Sequence, residues 1–294
     1  MTSRIHPRVK RGLAHALLIV GLVIGATSAA LPFYWSLLTS LRPKDQIFSR
    51  GINLLPTEIT FEHWERAFQV IPLLGYAANT LLITVTVIAC NLVVCSLAGY
   101  AFAKLQFAGK RVVYWTMLVS VMVPGTVILI PQFLVLVRFP LAGGNDILGQ
   151  GGSGFSGTLI GVVLPMAMSV FNILFMRAYY LSLPDDIGEA ARIDGAGELR
   201  IFLQIYVPLS KPVLGVLTVF CFQAGWNAFL WPSIILRNGD FKVLSQGLQA
   251  FTFNNAVDYG PMMAAAAFVT LPVIVIFLFT QKYFLQGIAF SGSK

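Results

Sequence analysis

The apolar positions of this chain do not alternate with polar ones. They run on unbroken, then stop at short clusters of charge. A helix needs roughly 20 mostly apolar residues to cross the hydrocarbon of a bilayer. Six segments meet that length, at about 13–39, 75–103, 112–136, 157–180, 212–236 and 261–281. Continuous runs of this kind predict helices rather than the alternating strands of a membrane barrel. The expected fold class is therefore an all-α integral membrane protein with six transmembrane helices.

Composition agrees. Of 294 residues, 57% are hydrophobic and 11% charged, against about 25% charged in a soluble domain, and the mean hydropathy is +0.78. The net charge of +8 could mean nucleic acid in a soluble chain. Here the basic residues flank apolar runs, as in the cytoplasmic loops of membrane proteins, and no basic stripe with interleaved aromatics occurs; no nucleic acid is expected as a partner. With the N-terminus inside, thirteen Lys and Arg fall in inner segments and seven in outer ones. Both termini are thus expected in the cytoplasm. Arg4, Arg8, Lys10 and Arg11 before the first span, and Ser28-Ala29-Ala30 within it, resemble a secretory signal. The apolar run continues through Leu31, Phe33, Tyr34, Trp35 and Leu38, which suits a retained span better. Residues 41–74 mix charges with Phe61, Trp64, Pro56 and Pro72 and read as a partly folded cap. Gly149 to Gly154 match GxGxxG, but no βαβ unit surrounds them; a flexible loop is expected.

The spans lack chemistry. From residue 75 onward no Asp, Glu, Lys, Arg or His falls in a predicted span interior, where ion-coupled carriers commonly place ionisable groups. No GxxxxGK[ST], HExxH or GxSxG occurs, so no catalytic residues are assigned and the chain is not expected to be an enzyme. Cys90, Cys95 and Cys221 lie in apolar segments without metal-ligand spacing, and no metal site is expected. The polar residues in the spans are neutral: Asn79, Thr80, Asn91, Asn172, Gln223, Asn227 and Ser233. In the fifth span Gln223, Trp226, Asn227 and Trp231 could line a path for a hydroxyl-rich solute, or could serve helix packing and interfacial anchoring.

One stretch concentrates the polar residues, 189–212. Pro184, Asp185 and Asp186 suit a first helical turn, where proline's missing N–H is not needed and acids oppose the helix dipole. Ile187, Ala190, Ala191 and Ile193 favour a short helix that Gly195 ends. A second helix follows, with Leu199, Phe202, Leu203 and Tyr206 at helical spacing on one face. Pro208 and Pro212 mark the return to the membrane. Two short helices at an angle can seat in a groove of a soluble partner, or can be a solvated loop.

The pattern E-A-A-x-x-D-G-A, then F-x-x-I-x-x-P, is carried by Glu189, Ala190, Ala191, Asp194, Gly195, Ala196, Phe202, Ile205 and Pro208. It resembles the EAA loop of permease subunits in bacterial ABC importers. Asn79-Thr80, Pro124, Pro131, residues 226–232 and residues 281–287 resemble the carbohydrate-uptake type related to the maltose permease. The ending, residues 289–294, departs from the glycine- and lysine-containing tail of that family. The resemblance implies a MetI-like permease core formed by helices 2–6. It divides the chain into a cytoplasmic segment 1–12, a first helix and extracytoplasmic loop 13–74, a permease domain 75–285 with an EAA coupling loop at 184–212, and a cytoplasmic tail 286–294. It implies a bacterial inner-membrane location, a second homologous permease, two ATPase subunits and an extracytoplasmic substrate-binding protein. ATP and Mg would sit on the ATPase partners, with no cofactor on this chain. The ATPase-coupling residues would be Glu189, Ala190, Ala191, Asp194, Gly195, Ala196, Phe202 and Pro208. The solute, a sugar or a phosphorylated polyol, stays open.

Overall fold

The computed structural model describes residues 7–48, 55–237, 241–253 and 256–291, with side chains for 15–48, 55–237, 241–252 and 257–279. The helices are α1 (Pro7–Ser40), α2 (Glu62–Val70), α3 (Leu73–Lys104), α4 (Lys110–Val121), α5 (Gly125–Val137), α6 (Leu159–Met166), α7 (Val170–Ser182), α8 (Asp186–Ile193), α9 (Glu198–Ile201), α10 (Val207–Leu209), α11 (Lys211–Trp226), α12 (Leu230–Ile235), α13 (Leu244–Gly247) and α14 (Tyr259–Ser291). A two-residue antiparallel pair, β1 (Thr252–Phe253) and β2 (Ala256–Val257), precedes α14, with Thr252 opposite Val257. The chain forms two compact units, residues 1–71 with 250–271, and residues 72–249 with 272–294.

In the first unit α1 is exposed along its apolar length, as suits a helix whose solvent is lipid. Near its end Ser36 Oγ donates to the Met263 carbonyl at 3.2 Å, and Ser40 Oγ accepts from Trp64 Nε1 at 3.1 Å. Of the segment read as a partly folded cap, residues 49–54 lie outside the described residues, and the rest includes α2 with buried His63 and Ala67. Arg66 pairs with Asp258 at 3.0 Å.

The second unit is organised on α3, which packs along both α7 and α11. Glycine makes each contact close. A Cβ on Gly99 would lie 2.6 Å from Met176 Cβ, and one on Gly225 would lie 3.0 Å from Thr84 Cα. Small residues allow this approach between membrane helices, whose association rests on packing and hydrogen bonds.

Three of the expected spans are not continuous rods. Among the described residues α1, α3 and α14 are long and apolar enough to cross alone, and six spans result only if each bent pair counts as one. The segment read as 112–136 is α4 and α5, bent by 111°. Pro124 has no N–H to continue α4 and disfavours helix at Val123, so the chain breaks there. The segment 157–180 is α6 and α7, bent by 43° after Pro165. The segment 212–236 stops at Trp226 and resumes as α12.

Breaks leave backbone groups that lipid cannot satisfy, and the span amides meet one of them. Asn91 Nδ2 donates to the Met166 carbonyl at 2.7 Å, where α6 ends, and Asn91 Oδ1 accepts from Asn172 Nδ2 at 2.9 Å. Asn79 Nδ2 similarly holds the Lys242 carbonyl at 2.9 Å. These amides are structural.

The glycine-rich segment after α5 is a loop, as expected, but a tightly knit one. Buried Asn145 donates to the carbonyls of Val137 and Phe139, at 2.8 and 3.0 Å, and accepts from Gly152 N at 2.8 Å. Asp146 Oδ1 accepts from the N–H groups of Leu148 and Gln150. The glycines serve turns with positive φ, such as Gly154 at +56°, rather than looseness.

Candidate functional site

The polar stretch 184–212 folds as an elbow. α8 begins after Pro184, and the Asp185 carbonyl accepts from Gly188 N and Glu189 N at 2.9 and 3.1 Å. The Asp185 side chain does not cap the helix. It reaches Lys104 Nζ, the last residue of α3, at 2.5 Å, and the same ammonium donates to the Leu183 carbonyl at 2.7 Å. Lys104 is 4% exposed at its side chain, so the end of α3 is fastened to the start of α8.

α8 ends in a Schellman turn. Ala196 N donates to the Ala191 carbonyl and Gly195 N to the Arg192 carbonyl, both at 3.0 Å, the paired closure that a left-handed residue permits. Gly195 supplies it with φ +81°. The turn swings α9 round so that Arg192 meets Glu198, Nε to Oε1 at 2.6 Å and Nη2 to Oε2 at 3.3 Å. Glu198 Oε2 also accepts from Tyr100 OH on α3 at 2.7 Å.

The second limb is not a regular helix. Residues Phe202–Tyr206 form a π-turn closed by Val207 N on the Phe202 carbonyl. Pro208 has no N–H for the usual bond to residue 204, and a π-turn is one way the ladder accommodates that loss. The expectation that Leu199, Phe202, Leu203 and Tyr206 share one face is corrected: Ile201, Phe202 and Tyr206 are buried, whereas Leu199 and Leu203 are 64% and 54% exposed. Beneath the elbow Tyr100, Tyr180, Phe202 and Tyr206 pack as one cluster, with Tyr100 and Tyr206 ring centres 5.0 Å apart.

The coupling candidates thus divide. Glu189, Ala190, Asp194, Gly195 and Pro208 are exposed; Ala191 and Ala196 are half-buried at the turn; Phe202 is buried beneath it. The exposed residues adjoin Ile193, 86% exposed, with Leu199 and Leu203 on the second limb. The result is a largely apolar surface with two acids, Glu189 and Asp194, on a support tied to α3 at two points. Sequence reading missed the support. Tyr100, Lys104, Gly188 and the Arg192–Glu198 pair carry no pattern that marks them, because the chain brings them together only after folding.

The four residues proposed for a path are not brought together. Trp226 and Trp231 are buried, at 4% and 8% exposed. Trp226 stacks on Phe222, and Trp231 Nε1 donates to the Gly161 carbonyl at 3.2 Å. Gln223 and Asn227 are exposed, one turn apart at the end of α11. Among the described residues no group of His, Cys, Asp and Glu could hold a metal ion.

Hydrogen bonding to Lys104 holds the Asp185 carboxyl below its ordinary range, and hydrogen bonding to Arg192 does the same for Glu198 and raises Arg192. Depressed carboxylates contribute above the ordinary carboxylate value and lose that contribution as pH falls through the lowered one. Amide-exchange protection of residues 186–196 is therefore expected to hold constant from neutral pH down to about 5 and to fall only below about 4. Protection that declined between pH 8 and 6 would mean that another group controls the elbow.

The comparisons bear on this frame. Residues 92–290, well over half the chain and including the elbow, match the family model described as "Binding-protein-dependent transport system inner membrane component". The chain belongs to this family. It is a transport permease subunit rather than an enzyme, and a multi-pass membrane protein. The permease is 32% identical over 266 residues to the arabinooligosaccharides transport system permease protein AraQ of Bacillus subtilis, covering 90% of each chain. It is 34% identical over 236 residues to the maltodextrin transport system permease protein MdxG of the same organism, covering 80% of this chain and 81% of that one. Among solved structures it matches a bacterial ABC transporter involved in the import of the acidic polysaccharide alginate, with a TM-score of 0.80 and 25% identity over 96% of this chain and all of that one. The MetI-like permease fold expected from the sequence is confirmed by these matches.

Proposed function

We propose that this permease is a pathway subunit of an ABC importer that carries a sugar or sugar-derived solute inward from a binding protein. A second homologous permease completes the pathway, and two ATPase subunits supply the energy. Carbohydrate relatives support the solute class. Gln223 and Asn227 are uncharged hydrogen-bonding groups on the exposed end of α11, suited to hydroxyls, while Trp226 and Trp231 brace the helices behind them.

The elbow carries the reading. Its outer surface offers Glu189, Ala190, Ile193, Leu199 and Leu203 to a soluble partner, and its inner surface is bound to α3. Closure of an ATPase dimer against α8 would then move α3 and, through it, α7 and α11. Both termini would lie with the elbow in the cytoplasm, following the Lys and Arg distribution. In the assembled complex, Glu189→Lys and Gly195→Pro are expected to leave insertion intact while uptake falls and ATP hydrolysis continues. Proline fixes φ near −65° and cannot replace a residue at +81°. Uptake unchanged in both variants removes the coupling role. A purified native complex without an ATPase overturns the whole reading, and mass spectrometry of its bound small molecule identifies the solute.

A further inference from the structure

Beside the elbow's attachment to α3 lies a second feature. The chain turns from α3 through residues 105–109 into α4, and a cleft of about 550 Å³ opens there against α7. Three cations line it, Lys110, Arg111 and Arg177, and no acid does. Arg177 is fixed in place: Nε donates to the Phe102 carbonyl at 3.2 Å, and the guanidinium lies 4.4 Å from the centre of the Tyr114 ring. Lys110 Nζ donates to the Leu105 carbonyl at 2.6 Å and is near enough to Arg177 to be repelled by it. Among the described residues no ion pair involves any of the three. The N-terminus of α4, which has no side-chain cap, adds its dipole to the same place.

A concentration of unneutralised positive charge is a site for an anion, and the surroundings say which kind. An apolar groove of about 480 Å³ continues from the cleft along α4, lined by Arg111, Val112, Trp115, Thr116 and Val119. Arg111 and Val112 belong to both cavities. Charge at one end and a continuous apolar trough at the other match a molecule with a phosphate head and a hydrocarbon tail. Lys104, the neighbour of this loop in sequence, is where α3 ends and the polar elbow is fastened, so the cleft lies at the polar end of a long apolar helix. Basic pockets between membrane helices suit anionic headgroups. We propose that this cleft binds the phosphate of an anionic phospholipid of the phosphatidylglycerol class, with an acyl chain along the α4 groove. The lipid would brace the α3–α4 turn next to the Lys104–Asp185 attachment. The site goes beyond the proposed transport reading and depends on neither the solute nor the orientation.

The test uses the assembled complex in nanodiscs that mix phosphatidylglycerol with phosphatidylcholine. After graded detergent stripping, native mass spectrometry counts the lipid each complex retains. Wild type is expected to retain phosphatidylglycerol selectively. Lys110→Gln with Arg111→Gln should lower that selectivity about tenfold or more, whereas the charge-keeping pair Lys110→Arg with Arg111→Lys should preserve it. Val119→Asp should weaken retention through the tail groove with the cations intact. Equal retention of the two lipids by wild type, or unchanged selectivity in the glutamine pair, overturns the proposal. Displacement of the retained lipid by inorganic phosphate alone also overturns it, since the site would then take a soluble anion.

Discussion

Gly99→Leu is expected to abolish accumulation of folded permease in the membrane. The ideal Cβ at this position already lies 2.6 Å from Met176 Cβ and 3.0 Å from the Arg177 backbone nitrogen. Neither obstacle is the free end of a flexible chain, so α3 and α7 must separate before any side chain fits. Overpacking of this kind costs about 1–3 kcal/mol for a few added methylenes, against a total stability of roughly 5–15 kcal/mol. Here the separation spreads further, because α3 also holds α11 at Gly225 and holds the elbow through Tyr100 and Lys104. Gly99→Ala is expected to give a partial loss, seen as a lower thermal midpoint of the purified complex. The control is Gly21→Leu on α1, where a Cβ would meet nothing within 4 Å. Comparable membrane levels for Gly99→Leu and Gly21→Leu would show that the α3–α7 contact is not tight in the membrane.

The spans were legible because hydrophobicity over a long window is a property of single segments. Their breaks were less so. Pro124 and Pro165 were visible in the sequence, yet a proline in a membrane helix can be absorbed with a small kink, and nothing local sets a bend of 111° against one of 43°. The elbow was legible down to Gly195, because a helix stop and a proline return are local signals. Its burial pattern was not. The π-turn at Phe202–Tyr206 shifts the helical register after Phe202, so the spacing that puts Leu199 and Tyr206 on one face fails. Trp226 and Trp231 read equally as path or packing, since an aromatic ring suits both. Both are buried in the fold, Trp226 against Phe222 and Trp231 against the Gly161 carbonyl. Tyr100 and Glu198, 98 positions apart, show the limit most plainly, because only the folded chain makes them neighbours.

Gly188→Val is expected to leave the permease inserted and to stop transport, and its suppressor is legible in the geometry. Gly188 is the buried residue of α8, and a Cβ there would meet Tyr206 Oη at 2.8 Å, with the next atoms at 3.6 Å. Tyr206 is 1% exposed, held between Tyr100 and Tyr180, so the ring cannot swing away and α8 must lift instead. Lifting α8 strains its attachment to Lys104 and shifts Glu189 and Ala190 on the outer face together. A displacement near 1 Å at a fitted contact can cost about a hundredfold in rate, which sets the scale for lost uptake. Gly188→Ala should show a smaller loss, and adding Tyr206→Phe should restore it, because the phenyl ring lacks the one atom the new methyl meets. Tyr206→Phe alone should transport nearly normally. If the double variant is no better than Gly188→Ala, the hydroxyl contact does not set the height of α8. Recovery instead ties transport to the seat of this short helix on the aromatic cluster.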